Sequence, residues 1–135
     1  MRASKHKVGL IFFPAFDWAI SPDHPEREER LLYTRDQIIE EGLLDVPGIE
    51  EFRPAVADNA QIDRVHVCVP STDKLVTESH RISAGGTITA ADLVFTGQVD
   101  RAFAILRPPG HHANRIVHGS RGFCMINTEA IMVEP

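Results

Sequence analysis

Two unbroken apolar runs stand out along the chain, one near its beginning and one in its last third. Residues 8–13 read VGLIFF and residues 102–106 read AFAIL, and neither run alternates with polar residues. Strands of a parallel sheet are covered on both faces and carry runs of this kind. The two runs therefore predict buried parallel strands. A weaker strand is expected over 51–56, and 65–69 fits either the end of a helix or a strand.

The first helix is expected soon after the first strand. Pro25 occupies its first position, and Asp23 or His24 supplies the cap. Gly42 ends the helix, as glycine commonly does. The helical stripe that predicts this helix consists of Leu31, Leu32, Arg35, Ile38 and Ile39.

Further helices are expected between the later strands. Asp58 can cap a short helix, and Ser71 with Thr72 can start another that runs toward His80. Gly85-Gly86 is expected to break or bend the chain before a helical segment over 87–95. Strands that alternate with helices predict an α/β fold in three layers, a parallel sheet flanked by helices, and no linker divides the 135 residues into more than one domain.

Composition narrows the class of protein. Hydrophobic residues make up 43% of the chain and charged residues 24%, which is ordinary for a globular domain. The formal charge of −5 argues against a nucleic-acid partner, which selects a basic surface. The run at 8–13 is much shorter than the roughly 18 apolar residues of a membrane span, so no membrane partner is expected. Cys68 and Cys124 are too few for a disulfide scaffold and fit a cytoplasmic protein.

Candidate chemistry is concentrated at 107–127, which read RPPGHHANRIVHGSRGFCMIN and directly follow the second buried strand. Sites in open α/β sheets gather at the carboxyl ends of strands. The rigid Pro-Pro-Gly corner can turn the backbone sharply before His111 and His112. Neighbouring side chains of an extended segment point apart, so the two histidines converge only if the loop turns them together. An isolated His-His pair is more often two surface residues, and Cys124 alone is more often a small buried residue.

The complete string favours a functional site, because RPPGHHA followed by GFCMIN resembles the active-site segment of the histone deacetylase and acetylpolyamine amidohydrolase superfamily. The DHPE sequence at 23–26 with Arg30 resembles that family's early loop and first helix. The SAGG sequence at 83–86, leading to TAA at 89–91, resembles the segment before its third strand. The resemblance runs from about Val8 to Met132. It implies a partial deacetylase-like domain with the N-terminal half of the arginase/deacetylase fold.

The resemblance also implies roles for particular residues. His111 and His112 correspond to the paired histidines that act as general acid and base, a task suited to groups that titrate near neutral pH. Phe123 corresponds to an aromatic wall of the channel that grips the acyl-amine chain, and the carbonyl of Gly122 lines the same channel. Cys124 corresponds to the channel floor near the metal.

The chain departs from the family pattern after Asn127, which is expected to stabilise the start of a following helix. The family's zinc ligands are an Asp-x-His segment on the next strand and a later aspartate, and its transition-state tyrosine comes later still. Residues 128–135 contain no Asp or His, and the one tyrosine, Tyr33, lies on the first predicted helix. No metal ligand is therefore predicted in this chain alone, although the complete family fold uses zinc.

Three interpretations remain open from the sequence. The first is a truncated or split deacetylase, inactive alone, that hydrolyses an acetylated amine such as acetyl-lysine or acetylpolyamine when a missing C-terminal part completes it. The second is a non-catalytic binding or oligomerisation module. The third, the least favoured, is an improvised metal site formed by His111, His112, His118 and Cys124.

A partner is expected in either of the first two interpretations. The chain would pair with itself or with the missing part, because an open apolar sheet edge is a template for pairing. The expected interface lies near Phe103, Ile105, Phe123 and Ile131.

Overall fold

The structure is a computed structural model that describes residues 5–15, 21–67, 76–117 and 121–134. The proposed helix start at Ser71 and Thr72 lies outside these residues, as does His118. The elements in chain order are β1 (Val8–Phe12), α1 (Glu28–Glu40), a short 3-10 turn (Leu43–Asp45), β2 (Ile49–Phe52), α2 (Asn59–Val65), α3 (Glu78–Phe95), β3 (Arg101–Ile105) and α4 (Thr128–Val133).

The strands form a three-stranded parallel sheet in the order β2-β1-β3. Val8 lies opposite Ile49 on one side and Arg101 on the other. Both unbroken apolar runs are therefore parallel strands, as predicted. The weak strand begins two residues earlier than expected and ends at Phe52.

Helices cover the two faces of the sheet. On one face, α3 packs its Leu93 against Ile11 of β1 and Val99. The neighbouring Phe12 points to the other face, since side chains alternate along a strand. There the Arg35 guanidinium of α1 lies 5.0 Å from the centroid of the Phe12 ring. This helix-sheet-helix arrangement confirms the predicted α/β class.

The Gly85-Gly86 pair does not break the chain, and that prediction is wrong. Both glycines lie inside the 18-residue helix α3. A Cβ on Gly85 would lie 2.1 Å from the carbonyl oxygen of Ala55, and one on Gly86 would lie 2.2 Å from Cδ1 of Leu106. The pair thus lets the helix approach neighbouring segments closely, which offsets the low helix propensity of glycine. None of the described helices, α3 included, is long and apolar enough to cross a membrane.

Helix α1 begins later than predicted. Pro25 precedes the helix, which starts at Glu28, and its N-cap residue Arg27 makes no side-chain capping hydrogen bond. His24 does not cap the helix either, because its Nδ1 accepts a hydrogen bond from the N–H of Glu26 at 3.0 Å. This contact belongs to the preceding loop. The helix does end before Gly42, whose φ is +66°.

The other two caps are confirmed. The side chain of Asp58 accepts a hydrogen bond from the N–H of Gln61 at the start of α2. At the start of α4, Oδ1 of Asn127 accepts one from the N–H of Ala130 at 2.9 Å. Helices α2, α3 and α4 meet in a second apolar core formed by Ala57, Ile62, Val76, Ala84, Ile126 and Ile131. This core supports the segment at 121–127.

Candidate active site

A tight turn after β3 brings the two adjacent histidines together. The N–H of Ala113 donates to the carbonyl of Gly110 at 3.0 Å, so His111 and His112 are the central residues of the turn. Their ring centroids lie 4.1 Å apart at an interplanar angle of 69°. Both side chains are exposed. The convergence that the sequence made conditional on loop geometry is therefore observed.

Gly110 packs this turn against the segment before α4. A Cβ on Gly110 would lie 2.4 Å from both the carbonyl oxygen of Ile126 and the N–H nitrogen of Thr128. A side chain at this position would push the turn away from that segment. The glycine therefore sets the distance between the histidine pair and the residues at 121–127.

A second tight turn carries the predicted channel residues. Arg121 and Cys124 exchange backbone hydrogen bonds of 2.9 and 3.1 Å, and Gly122 between them has a φ of +62°, which favours glycine. A Cβ on Gly122 would lie 3.4 Å from Nδ1 of His112, so this backbone lies beside the pair. Phe123 is half-buried and meets His24 edge-to-face, with ring centroids 5.0 Å apart.

Cys124 lies beneath the pair and is fully buried. Its sulfur, one ring nitrogen of His111 and one ring nitrogen of His112 lie within 4.8 Å of one another. Burial raises the pKa of the thiol, although a hydrogen bond with the backbone of His112 opposes this shift. Cys124 is therefore a protonated thiol at neutral pH when nothing else binds it. All five predicted site residues thus meet in one place.

A buried ion pair anchors the start of the loop. Arg107 is 1% exposed, and its Nε donates to Oε2 of Glu26 at 3.0 Å. Its Nη1 also donates to the carbonyl of Ala15 at 2.6 Å. The other carboxylate oxygen of Glu26 accepts a hydrogen bond from Arg30 at 2.7 Å. The early loop, α1 and the end of β3 are thereby held together.

Arg107 has no role that the sequence alone predicts. The DHPE sequence and Arg30 stand out only through the family resemblance. A signal was nevertheless present, because an arginine directly after a buried strand needs a partner of opposite charge.

A buried histidine holds the middle and the end of the same loop. His66 follows α2, and its Nδ1 lies 2.9 Å from the carbonyl of Asn114. Its Nε2 lies 2.9 Å from the backbone nitrogen of Asn127, whose N–H it accepts. The ring is therefore neutral, with its proton on Nδ1 donated to Asn114. Burial lowers the pKa of His66. The sequence prediction did not include His66, although a histidine inside the apolar run at 65–69 was a signal for it.

The same region explains the ambiguous run at 65–69. Val65 ends α2, and Val67 then forms an isolated parallel bridge with Ile116. The helix end that the pattern allowed therefore occurs, and the described part of the run adds a single β-bridge and no strand.

The donor atoms present do not reproduce the zinc site that the family resemblance implies. Within the described ranges, one group of three or more histidine, cysteine or acidic side chains could hold a metal ion, and it consists of His111, His112 and Cys124. The group contains no carboxylate, whereas the family's ligands are an Asp-x-His segment and a further aspartate. These residues therefore do not fit the family's zinc site.

Comparison with known proteins identifies the family. The histone deacetylase domain family matches residues 68–135. A probable deacetylase from Archaeoglobus fulgidus is 36% identical over 151 aligned residues, which cover 94% of this chain and 40% of that protein. The histone deacetylase clr3 of Schizosaccharomyces pombe is 45% identical over 51 residues, 38% of this chain and 7% of that protein. The human polyamine deacetylase HDAC10 is 43% identical over 51 residues, 38% of this chain and 7% of that protein.

A solved structure agrees with the fold. The crystal structure of the HDA15 HD domain superposes with a TM-score of 0.75 at 24% identity, over 93% of this chain and 42% of that one. The chain thus spans less than half the length of the relatives it matches. The family match, the archaeal relative and the shared fold all confirm the resemblance seen in the sequence. The chain belongs to the histone deacetylase superfamily.

Proposed function

We propose that this chain supplies the acid–base histidine pair and one wall of the substrate channel to a deacetylase that hydrolyses an acetylated amine. The observation that carries the proposal is the meeting of His111 and His112 at a ring separation of 4.1 Å. The channel residues Gly122 and Phe123 lie on the turn beside them. The five residues that the resemblance implied thus form a single exposed cluster over a buried floor.

The pair suits amide hydrolysis. A water oxygen bonds to the acetyl carbon, the carbon–nitrogen bond breaks, and acetate and a free amine leave. One group must take a proton from the water and another must give one to the departing nitrogen. Histidine titrates near neutral pH and performs both tasks, and two rings side by side can divide them.

The aromatic wall suits a substrate with an aliphatic stem. Phe123 and His24 meet edge-to-face at 5.0 Å and offer apolar ring surface beside the pair. Acetyl-lysine and acetylpolyamines both end an aliphatic chain in an acetylated nitrogen. Relatives named as histone deacetylase and as polyamine deacetylase match this chain, so the proposal covers both substrate types. It also includes a reducing, cytoplasmic environment, in which Cys124 stays a thiol.

We also propose that the 135 residues alone do not turn over substrate and that a further segment completes the site. The support for this is the donor set, in which the described residues offer no metal ligand group that contains a carboxylate. The zinc of the complete family fold would then depend on residues supplied from elsewhere. The proton transfers proposed for His111 and His112 do not involve that zinc ion.

The test is a chimaera in which this chain replaces the matching 40% of the Archaeoglobus fulgidus deacetylase. The chimaera is assayed on an acetyl-lysine peptide and on an acetylated polyamine. We expect turnover that falls sharply in His111→Ala and in His112→Ala, while the matched exposed variant His6→Ala keeps it. A folded chimaera whose turnover is unchanged by either active-site substitution would show that the pair has no catalytic role.

An alternative function, a dimerisation module, is favoured by one surface. Strand β3 pairs only with β1 among the described strands, and Phe103 on this edge strand is 60% exposed. Ile105 and Ile131, which the sequence also assigned to an interface, are buried inside the chain. An interface at this edge would therefore be centred on Phe103.

Light scattering across a dilution series tests this alternative. A dimer that Phe103→Lys converts to a monomer would support it, with exposed Val94→Lys as the matched control. A 15.0 kDa species at every concentration would exclude it.

A further inference from the structure

We propose that His111, His112 and Cys124 form a binding site for a thiophilic divalent metal ion, for which Zn²⁺ is the probe. This site differs from the family's zinc site in every ligand, since the resemblance assigns the histidines to proton transfer. The inference stands on the convergence of three donor side chains from two separate turns. It does not depend on the proposed deacetylation.

The two turns fix the donors from both sides. The hydrogen bond from Ala113 to Gly110 places both histidines on one turn, where their rings meet in a T-shaped contact. The backbone exchange between Arg121 and Cys124 fixes the second turn beneath them. Adjacent histidines on an extended segment would not meet in this way.

The distances are close to those that a metal ion needs. All three ligand atoms lie within 4.8 Å of one another. Zinc binds nitrogen at about 2.0 Å and sulfur at about 2.3 Å, so the donors of a tetrahedral site lie roughly 3.5 Å apart. Contraction by up to about 1.3 Å is therefore enough. The exposed rings of His111 and His112 can supply it by side-chain rotation, while the buried sulfur stays in place.

The donor types select the metal. Two imidazoles and one thiolate suit a borderline or soft ion such as zinc, and the absence of a carboxylate from this group disfavours magnesium and calcium. Three protein ligands leave a fourth position, which the exposure of both histidines opens to water or to a small ligand. Binding releases the proton of Cys124, because a coordinating thiol is deprotonated.

Metal binding and acid–base catalysis exclude each other at this site. An imidazole that donates its lone pair to a metal cannot use the same nitrogen to take a proton from water. An ion bound at His111, His112 and Cys124 therefore blocks the proposed catalytic pair.

The test is metal binding by the tag-free, chelator-stripped chain under reducing conditions. Isothermal titration calorimetry with Zn²⁺ is expected to show one site. A titration with Co²⁺ that is monitored by absorption spectroscopy is expected to show a thiolate-to-metal charge-transfer band. Both signals should be retained in Cys68→Ser, the matched cysteine control.

Variants at the ligands decide the outcome. Cys124→Ala should abolish the charge-transfer band, and His111→Gln or His112→Gln should weaken zinc binding by at least about 100-fold, more than the loss of an outer contact does. Since both histidines are exposed, these two variants are expected to fold even if Cys124→Ala does not. Absence of the band in the unaltered chain, or undiminished zinc binding in both histidine variants, would overturn the proposal. Neither result would bear on turnover by the chimaera, so the two proposals fail separately.

Discussion

The loop that carries the candidate site is held by two buried polar supports of opposite character. At its start, Arg107 pairs as a cation with Glu26. In its middle and at its end, His66 binds Asn114 and Asn127 as a neutral ring. The first support relies on charge and the second on the absence of charge. Both leave His111 and His112 exposed above a framework that they do not themselves stabilise.

The comparison shows how one fold can present reactive groups in a fixed place. Charged and hydrogen-bonding groups are placed where water is excluded and their partners are fixed. The two histidine rings proposed to act on substrate are exposed to solvent. The two supports should nevertheless respond differently to substitution and to pH, because protonation would add a charge to the neutral ring of His66, whose pKa burial lowers.

The largest expected effect comes from breaking the ion pair. Glu26→Gln keeps the shape of the side chain but leaves the buried guanidinium of Arg107 without its countercharge. Loss of one partner of a buried pair costs about 3–5 kcal/mol. Denaturant unfolding should show a loss of this size, whereas Glu40→Gln at an exposed position should stay within about 0.5 kcal/mol. Equal stability of the two variants would mean that the pair does not anchor the loop.

The neutral support should be less costly to remove. His66→Leu leaves the carbonyl of Asn114 and the N–H of Asn127 without a side-chain partner. Because Asn114 is exposed and Asn127 is half-buried, water can replace the lost contacts, and each lost hydrogen bond costs about 0.5–1.5 kcal/mol. His66→Gln offers an N–H donor and a carbonyl acceptor in a similar volume, so it should retain most of the stability at pH 8. If leucine and glutamine destabilise the chain equally, the two hydrogen bonds contribute nothing beyond packing.

Acid should weaken the neutral support. Burial lowers the pKa of His66 in the folded chain, so the unfolded chain binds a proton more readily. Stability from this group is therefore fully present above the unfolded pKa of about 6.5 and falls as the pH drops from there toward the lower folded pKa. The slope is at most about 1.4 kcal/mol per pH unit.

Unfolding measured from pH 7.5 to 5.5 checks this effect. His66→Gln, which cannot be protonated in this range, should flatten the dependence, while His6→Gln should keep it. A dependence that survives in His66→Gln would assign the titration to another group.

The smallest expected effect concerns the cap of α4. Asn127→Ala removes the side-chain hydrogen bond to the N–H of Ala130, which costs about 1 kcal/mol. The backbone N–H of Asn127 still reaches His66, so the pH dependence should remain. Asp58→Ala, at the start of α2, is the matched cap variant and should cost a similar amount. Loss of the pH dependence in Asn127→Ala would show that cap and support are not separable.

The sequence predicted those features that local pattern determines. The unbroken runs of β1 and β3, the Asp58 cap and the Asn127 cap are all set by residues close in the chain. The site residues were predictable because the string at 107–127 resembles a known family.

Features that depend on distant contacts were missed. The local sequence of Gly85-Gly86 predicts a helix break. The close approach of Ala55 and Leu106, which requires the two glycines, is visible only in the folded chain. Arg107 and His66 bind residues that lie 81 and 61 positions away, and no local pattern carries that information.

The most direct test of the account is the turnover of an acetyl-lysine peptide by the pure 135-residue chain, with zinc added. The account predicts no turnover, because the described residues combine the proposed acid–base pair with no metal-ligand group that contains a carboxylate, and zinc at His111, His112 and Cys124 would occupy that pair. Robust turnover that a chelator abolishes and that His111→Ala abolishes would contradict it.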